Sequence, residues 1–386
     1  MIREIPKGPE RRASRGFSLI ELMIALLLGA LVVAGLINVL MANRQAYHLQ
    51  EANNFNQQNM RFAMDRIGWS LRMADFWGGA SSAAITGTPT VTGKGDCTAA
   101  WVLAVASGAV PGAGGVFGYD GNSGGFTNFP LSGCIGSDTA NYVSGSDILV
   151  VRYADADAVP TSGGTSGILP GKVYLQARTG VRGELFADTV PADLPNSDQG
   201  VSTYPYALEM YYLRPCSDPG TGGVCSASSD GGNPIPTLMR VRLQDDGTLI
   251  NEPVVEGVEQ LQFEYGVHAA GSTDPTPTEY VSADEVTADG RTWADVTSVR
   301  VGYVLRSQTR DTALPHDFDS GDSTNPGAAT YPTRLSSNCE YGFTTAGTAQ
   351  NWACDNYTTG QLGSTPQQFT RAEMTSVVQV RNRLRL

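Results

Sequence analysis

A chain of 386 residues, 41% of them hydrophobic, is long enough to bury one large core or two modest ones, which excludes a wholly unfolded polypeptide. Its 45 glycines and 21 prolines exclude a mainly helical body and predict one rich in loops. A formal net charge of −12 leaves no electrostatic footprint for a phosphate backbone, so nucleic acid is excluded as a partner.

The first residues are basic: Arg3, Lys7, Arg11, Arg12 and Arg15 are opposed only by Glu4 and Glu10. An apolar run follows, and between Phe17 and Met41 its only charged residue is Glu21. About 20 apolar residues cross a bilayer, so residues 17–41 read as a membrane span, and the basic flank places the N-terminus in the cytoplasm. A cleaved secretory signal is the rival, but it would have a shorter apolar core and a small-x-small cleavage site. Here the run passes into Asn43 and Arg44 instead. A carboxylate within the span costs about 2.5 to 3.5 kcal/mol. Snorkelling to the interface would relieve Glu21, since one helical turn lifts a group by only about 5.4 Å.

The string "RGFSLIELMIALLLG", Arg15 to Gly29, resembles the prepilin signal of type IV pilins and the related pseudopilins: a basic leader, a Gly, a Phe, and a Glu four residues on. The resemblance implies that a prepilin peptidase removes residues 1–16 by cutting between Gly16 and Phe17, and that Phe17 is then N-methylated. It also gives Glu21 a role in assembly, because its carboxylate would pair with the N-terminal ammonium of a neighbouring subunit, each charge offsetting the other's desolvation. Loss of the leader removes five basic and two acidic side chains and takes the net charge from −12 to −15.

No proline interrupts the chain until the pair Gly78–Gly79, so one helix is expected from Phe17 to Trp77, roughly 90 Å long. Its second half carries two stripes. Met60, Met64, Ile67, Leu71 and Ala74 form one, and Phe55, Phe62, Trp69 and Phe76 recur every seventh residue on the other. One stripe is expected to pack on the chain's own sheet and the aromatic one to meet a partner; the alternative is a helix wholly buried in its own domain.

Residues 78–386 are expected to form an antiparallel β head with loop-rich insertions, the densest between 80 and 235. Short strands are predicted at "DILVVRY" (Asp147 to Tyr153) and "ALEMYYL" (Ala207 to Leu213). Alternation is clearest in "GVEQLQFEYGV", where Leu261, Phe263, Tyr265 and Val267 oppose Gln260, Gln262 and Glu264, and in "SVRVGYVLR", where Val299, Val301, Tyr303 and Leu305 oppose Arg300 and Arg306. "PTLMRVRL" sets Met239, Val241 and Leu243 against Arg240 and Arg242, and the final "SVVQVRNRLRL" sets Val378, Val380, Leu384 and Leu386 against Arg381, Arg383 and Arg385. Each predicts one face on a core and one in solvent. The arginines would either pair across strands with Glu259 and Glu264 or form a basic stripe that docks an acidic neighbour.

Six cysteines allow 15 pairings, but they fall as three near neighbours, and Cys97–Cys134, Cys216–Cys225 and Cys339–Cys354 are the expected disulfides. Zinc spacings are missing, and no cofactor motif is present. "GNSGG" (Gly121 to Gly125) matches a serine nucleophile elbow in letters alone: Ser123 sits among glycines, not between strand and helix. Of the three histidines, His48, His268 and His316, the first lies on the predicted stalk. Asp317, Asp319 and Asp322 are a weak calcium candidate, since the twelfth loop position is Ala328 and supplies no carboxylate.

"VVEGVEQLQFEYGV", the "VRVGYVLR" strand and the Arg-rich tail resemble the PilW family of type IV pilus assembly proteins, which are minor pilins. That resemblance implies an α+β pilin-like fold, no catalysis, no cofactor and a body outside the inner membrane. The partners implied are other minor and major pilins, the prepilin peptidase and the inner-membrane assembly platform. Priming or capping of pili is the role expected, with a tip adhesin and a type II secretion pseudopilin as alternatives.

Overall fold

The computed structural model describes residues 18–106, 112–121, 133–135, 141–143, 146–159, 167–192, 200–226, 228–272, 274–308, 340–342, 351–353 and 371–383. The chain divides into two compact units, residues 1–51 and 52–386.

In the first unit the described chain is helix from Leu19 onward, the N-terminal part of α1 (Leu19–Met73). It is apolar and long enough to cross a membrane, and its large side chains from Leu19 to Met41 are all exposed. That is the expected state of a segment whose natural surroundings are other than water.

Among the described residues the second unit takes the rest of α1 and fourteen strands. These are β1 (Ile85–Thr86), β2 (Val116–Tyr119), β3 (Ile148–Ala154), β4 (Val173–Arg178), β5 (Arg182–Ala187), β6 (Val201–Arg214), β7 (Thr237–Leu243), β8 (Leu249–Glu256), β9 (Val258–Val267), β10 (Glu279–Val281), β11 (Val296–Arg306), β12 (Glu340–Gly342), β13 (Asn351–Ala353) and β14 (Arg371–Gln379). A one-turn helix, α2 (Ala99–Val102), is capped by the Thr98 side chain.

The larger sheet runs β1-β5-β4-β6-β3-β2, with β7 joined to β6 and β8 to β7. Its pairs are antiparallel except β1 with β5. The smaller sheet, β10-β9-β11-β14, is antiparallel, and β12 and β13 form a separate ribbon. Gly257 alone separates β8 from β9 and carries the chain from one sheet to the other. At φ +89 it adopts a conformation L residues avoid, and a Cβ there would lie 2.6 Å from the Arg306 carbonyl oxygen. The fold is α+β.

Two cores flank the larger sheet. One gathers Met60, Ile67 and Leu71 of α1 with Leu149, Val151 and Tyr211 of the larger sheet and Phe263, Tyr265, Val301 and Tyr303 of the smaller. The other packs the opposite face, Ile148, Val150, Met210 and Tyr212, against Trp77, Trp101 and the Cys97–Cys134 region. Burial on both faces explains why β3 reads as a continuous apolar run with every residue buried. Arg152 is buried within it, stacked on Trp101 and donating to the carbonyls of Trp101, Gly112 and Gly114 at 2.8, 2.7 and 3.0 Å. Its donors thus organise the loop chain, replacing the water that burial removes.

Three expectations need correction. The helix ends at Met73 and not at Trp77, because Asp75 turns into the left-handed region (φ 59) and its N–H donates to the Arg152 carbonyl at 3.3 Å. The smaller sheet is only partly open to solvent on its second face: Gln260, Gln262, Val304 and Arg306 are buried, while Glu373, Thr375, Val377 and Gln379 of β14 on that face are exposed. Arg306 is held there by Glu259 and by the Pro234 carbonyl. The last strand spans Arg371–Gln379, where Ala372, Met374, Ser376 and Val378 face inward, and Arg381–Arg383 forms a 3₁₀ turn rather than more strand.

Candidate assembly surfaces

At the start of α1 the sequence Ser18-Leu19-Ile20-Glu21 makes a reciprocal cap. The Glu21 carboxylate accepts from the Ser18 N–H at 3.1 Å and from its hydroxyl at 3.2 Å, while the Glu21 N–H donates to the Ser18 hydroxyl at 3.2 Å. This satisfies helix-terminal donors and places a negative charge at the positive end of the helix. In a single chain, then, Glu21 already has a partner within its own first turn. The S-x-x-E spacing was the available signal for that contact, which the reading of Glu21 as a carboxylate within the span awaiting a neighbour's ammonium passes over. Gly16 and Phe17 lie outside the described residues.

Within the second unit α1 shows two unlike faces. Met60, Met64, Ile67, Leu71 and, just beyond the helix, Ala74 are buried. A polar cluster reinforces that face: Glu209 of β6, its side chain 6% exposed, accepts from Arg66 at 2.6 Å and from Arg240 of β7 at 2.7 Å. Its other oxygen accepts from the Ser70 hydroxyl and, at 2.8 Å, from Tyr211. Arg240 and Arg242 both reach Glu252 on β8. Burial, and after it the Glu209 charge, push the Tyr211 phenol well up, so it keeps its proton and donates it.

The other face of this helix segment is open. Phe62 is 56% exposed and Trp69 49%, one heptad or about two helical turns apart, with exposed Asp65 between them and exposed Arg61 and Arg72 alongside. Phe55 is half-buried. Phe76 does not belong to this stripe: it lies past the helix end and packs edge-on against Tyr204 of β6, ring centroids 5.6 Å apart. Heptad spacing placed it there on the assumption that the helix continued, and Asp75 ends it.

Cys97 and Cys134 are bonded, as are Cys216 and Cys225, with Cα separations of 5.3 and 5.6 Å. Cys339 and Cys354 lie outside the described residues, as do Ser123 and the acidic trio Asp317, Asp319 and Asp322. Among the described residues no cluster of three metal-ligating side chains occurs. The strand arginines are satisfied within the chain: Arg300 meets Glu264, its directly opposite residue, at 2.6 Å and stacks over Tyr280, and Arg306 lies 3.6 Å from Glu259. A basic stripe free to dock a neighbour is therefore not present at these positions.

The family model for the type IV pilus-assembly protein W matches residues 225–382, which include β7 to β11 and β14. The prokaryotic N-terminal methylation motif matches residues 11–37, a stretch containing Gly16, Phe17 and Glu21. No curated protein sequence matches the chain. Among solved structures, a type IV-like pilin from Thermus thermophilus is similar at 15% identity and a TM-score of 0.19, over 56% of this chain and 87% of that one, too distant a likeness to build on. A methylation motif on its exposed apolar helix and an assembly-protein match over the C-terminal part of its body are thus what the chain shares with type IV pilins of the PilW family.

Proposed function

We propose that this pilin is a minor subunit that primes assembly of type IV pili, caps their tip, or does both. The observation that carries the reading is the helix in the second unit: one face is fixed in the chain's own core, and the other presents Phe62 and Trp69 to solvent. Aromatic side chains exposed in a row cost solubility in a lone domain and fit a partner helix.

In this reading a prepilin peptidase removes residues 1–16 between Gly16 and Phe17, Phe17 is N-methylated, and residues 17–41 hold the chain in the inner membrane with residues 78–386 in the periplasm. On assembly, the Glu21 carboxylate exchanges its bonds to Ser18 for the ammonium of a neighbour. The exchange costs little because one charge-assisted contact replaces another. Other minor and major pilins and the inner-membrane assembly platform are the partners, and no turnover is involved.

Deletion of the gene tests the priming role, with counts of surface filaments as the readout. Filaments should be lost or sharply reduced, be restored by the wild-type chain, and be restored poorly by the Phe62→Ala/Trp69→Ala variant. Normal filament numbers with attachment lost would instead point to a tip adhesin.

A further inference from the structure

The strand β14 has little local help in finding its register. Its neighbour β11 ends at Arg306, and β14 begins only at Arg371, so no tight turn fixes how the two align. Inward Ala372, Met374, Ser376 and Val378 alternate with outward Glu373, Thr375, Val377 and Gln379, which forbids a one-residue slip because every side chain would change face. A two-residue slip keeps every side chain on its face and moves the strand by about 7 Å. The inward set includes Ala372, Ser376 and the flexible Met374, so volume alone separates the two registers weakly.

Just past β14 the chain meets the end of α1. Asn382 Nδ2 donates to the carbonyls of Arg72, Met73 and Ala74 at 3.3, 3.3 and 2.9 Å, at the helix end where carbonyls lose their intrahelical donors; that of Met73 also accepts from the Phe76 N–H. Arg383, its side chain 7% exposed, binds the Asp75 carboxylate and donates to the Trp293 carbonyl and, at 3.0 Å, to that of Val296. Asp75 is itself anchored to the larger sheet through the Arg152 carbonyl, and a Cβ on Gly115 would lie 2.0 Å from its Oδ1. Acceptors fixed by the helix and by both sheets therefore converge on two consecutive side chains.

We infer that Asn382 and Arg383 are the register lock of β14. A two-residue slip would draw both about 7 Å from their acceptors and strand a buried guanidinium without its carboxylate, whereas the strand's own alternation would not register the error.

Cysteine pairs in the full-length chain in detergent micelles test this, with cross-links assigned by peptide mass spectrometry. Arg300 faces Val377 in the observed register, so Arg300→Cys with Val377→Cys reports it; Arg300→Cys with Thr375→Cys or with Gln379→Cys reports the two slipped alignments. With the lock intact only the 300/377 pair should cross-link. In the Asn382→Ala/Arg383→Gln background a slipped pair should appear in about a tenth of chains or more. Cross-linking confined to 300/377 in that background would overturn the proposal. If the double variant does not accumulate, Asn382→Ala alone should show a smaller slipped fraction, and a complete absence of slipped product there would overturn it equally.

Discussion

Glu209 is the residue on which the hold between helix and sheet most depends, since it neutralises Arg66 and Arg240 while accepting from Ser70 and Tyr211. Glu209→Ala leaves Arg240 beside one carboxylate instead of two, removes the carboxylate that Arg66 meets and takes from the Ser70 and Tyr211 hydroxyls their charged acceptor; a loss of about 3 to 5 kcal/mol in urea unfolding is expected. A change under about 1 kcal/mol would mean that the cluster is ornamental. Asp147 acts in the opposite sense. Its carboxylate is buried, accepts from the backbone N–H groups of Gly121 and Phe263 at 3.0 and 2.7 Å, and is pushed well above the ordinary carboxylate range by burial first and then by the charge of Asp120. The folded chain therefore keeps a proton that the unfolded chain releases near pH 3.8, the ordinary value, so unfolding releases protons and stability falls as pH rises above about 4. Measured from pH 4 to pH 8, the unfolding free energy should fall less steeply for Asp147→Asn than for the wild type; parallel curves would contradict the assignment. At Glu21, alanine should leave leader cleavage largely intact but lower recovery of the chain in sheared filaments, and equal recovery would remove the charge-pairing role.

At the scale of elements, the stalk helix was legible because a period near 3.6 shows through sequence, and Met60, Met64, Ile67 and Leu71 mark a buried face in both the letters and the structure. Its end was not legible. Nothing in "MADFWGG" announces that Asp75 takes a left-handed conformation; that choice is made by the Arg152 carbonyl and Arg383, both distant in sequence. The same reason explains Phe76, whose heptad spacing pointed outward but whose ring follows the turned chain to Tyr204. Phe62 and Trp69, by contrast, touch little within the described chain, so Phe62→Ala/Trp69→Ala should change the unfolding free energy by no more than about 0.5 kcal/mol while filament incorporation drops several-fold. A large loss of stability would show that the aromatic face serves the fold. The Cys97–Cys134 bridge supports the second core, and Cys97→Ser/Cys134→Ser should cost about 2 to 4 kcal/mol by denaturant titration.

For the whole molecule, alternation in "GVEQLQFEYGV" and "SVRVGYVLR" was enough to find the paired strands β9 and β11 and their inward residues. It could not say that Gln260 and Gln262 are buried, because a buried, hydrogen-bonded glutamine and a solvated one are the same letter. Nor could local patterns show that β3 lies between two cores or that β6 changes partner along its length, from β4 to β7; both are properties of the assembled sheet. The resulting molecule has an apolar N-terminal helix with every large side chain exposed and a body whose helix keeps one aromatic face unburied, two surfaces that a filament of like subunits would cover together. Mass spectrometry of sheared, purified pili tests that account most directly. It predicts a peptide from this chain that begins at N-methylated Phe17, recovered with the filament; a chain found only in the inner membrane and still carrying residues 1–16 would contradict it.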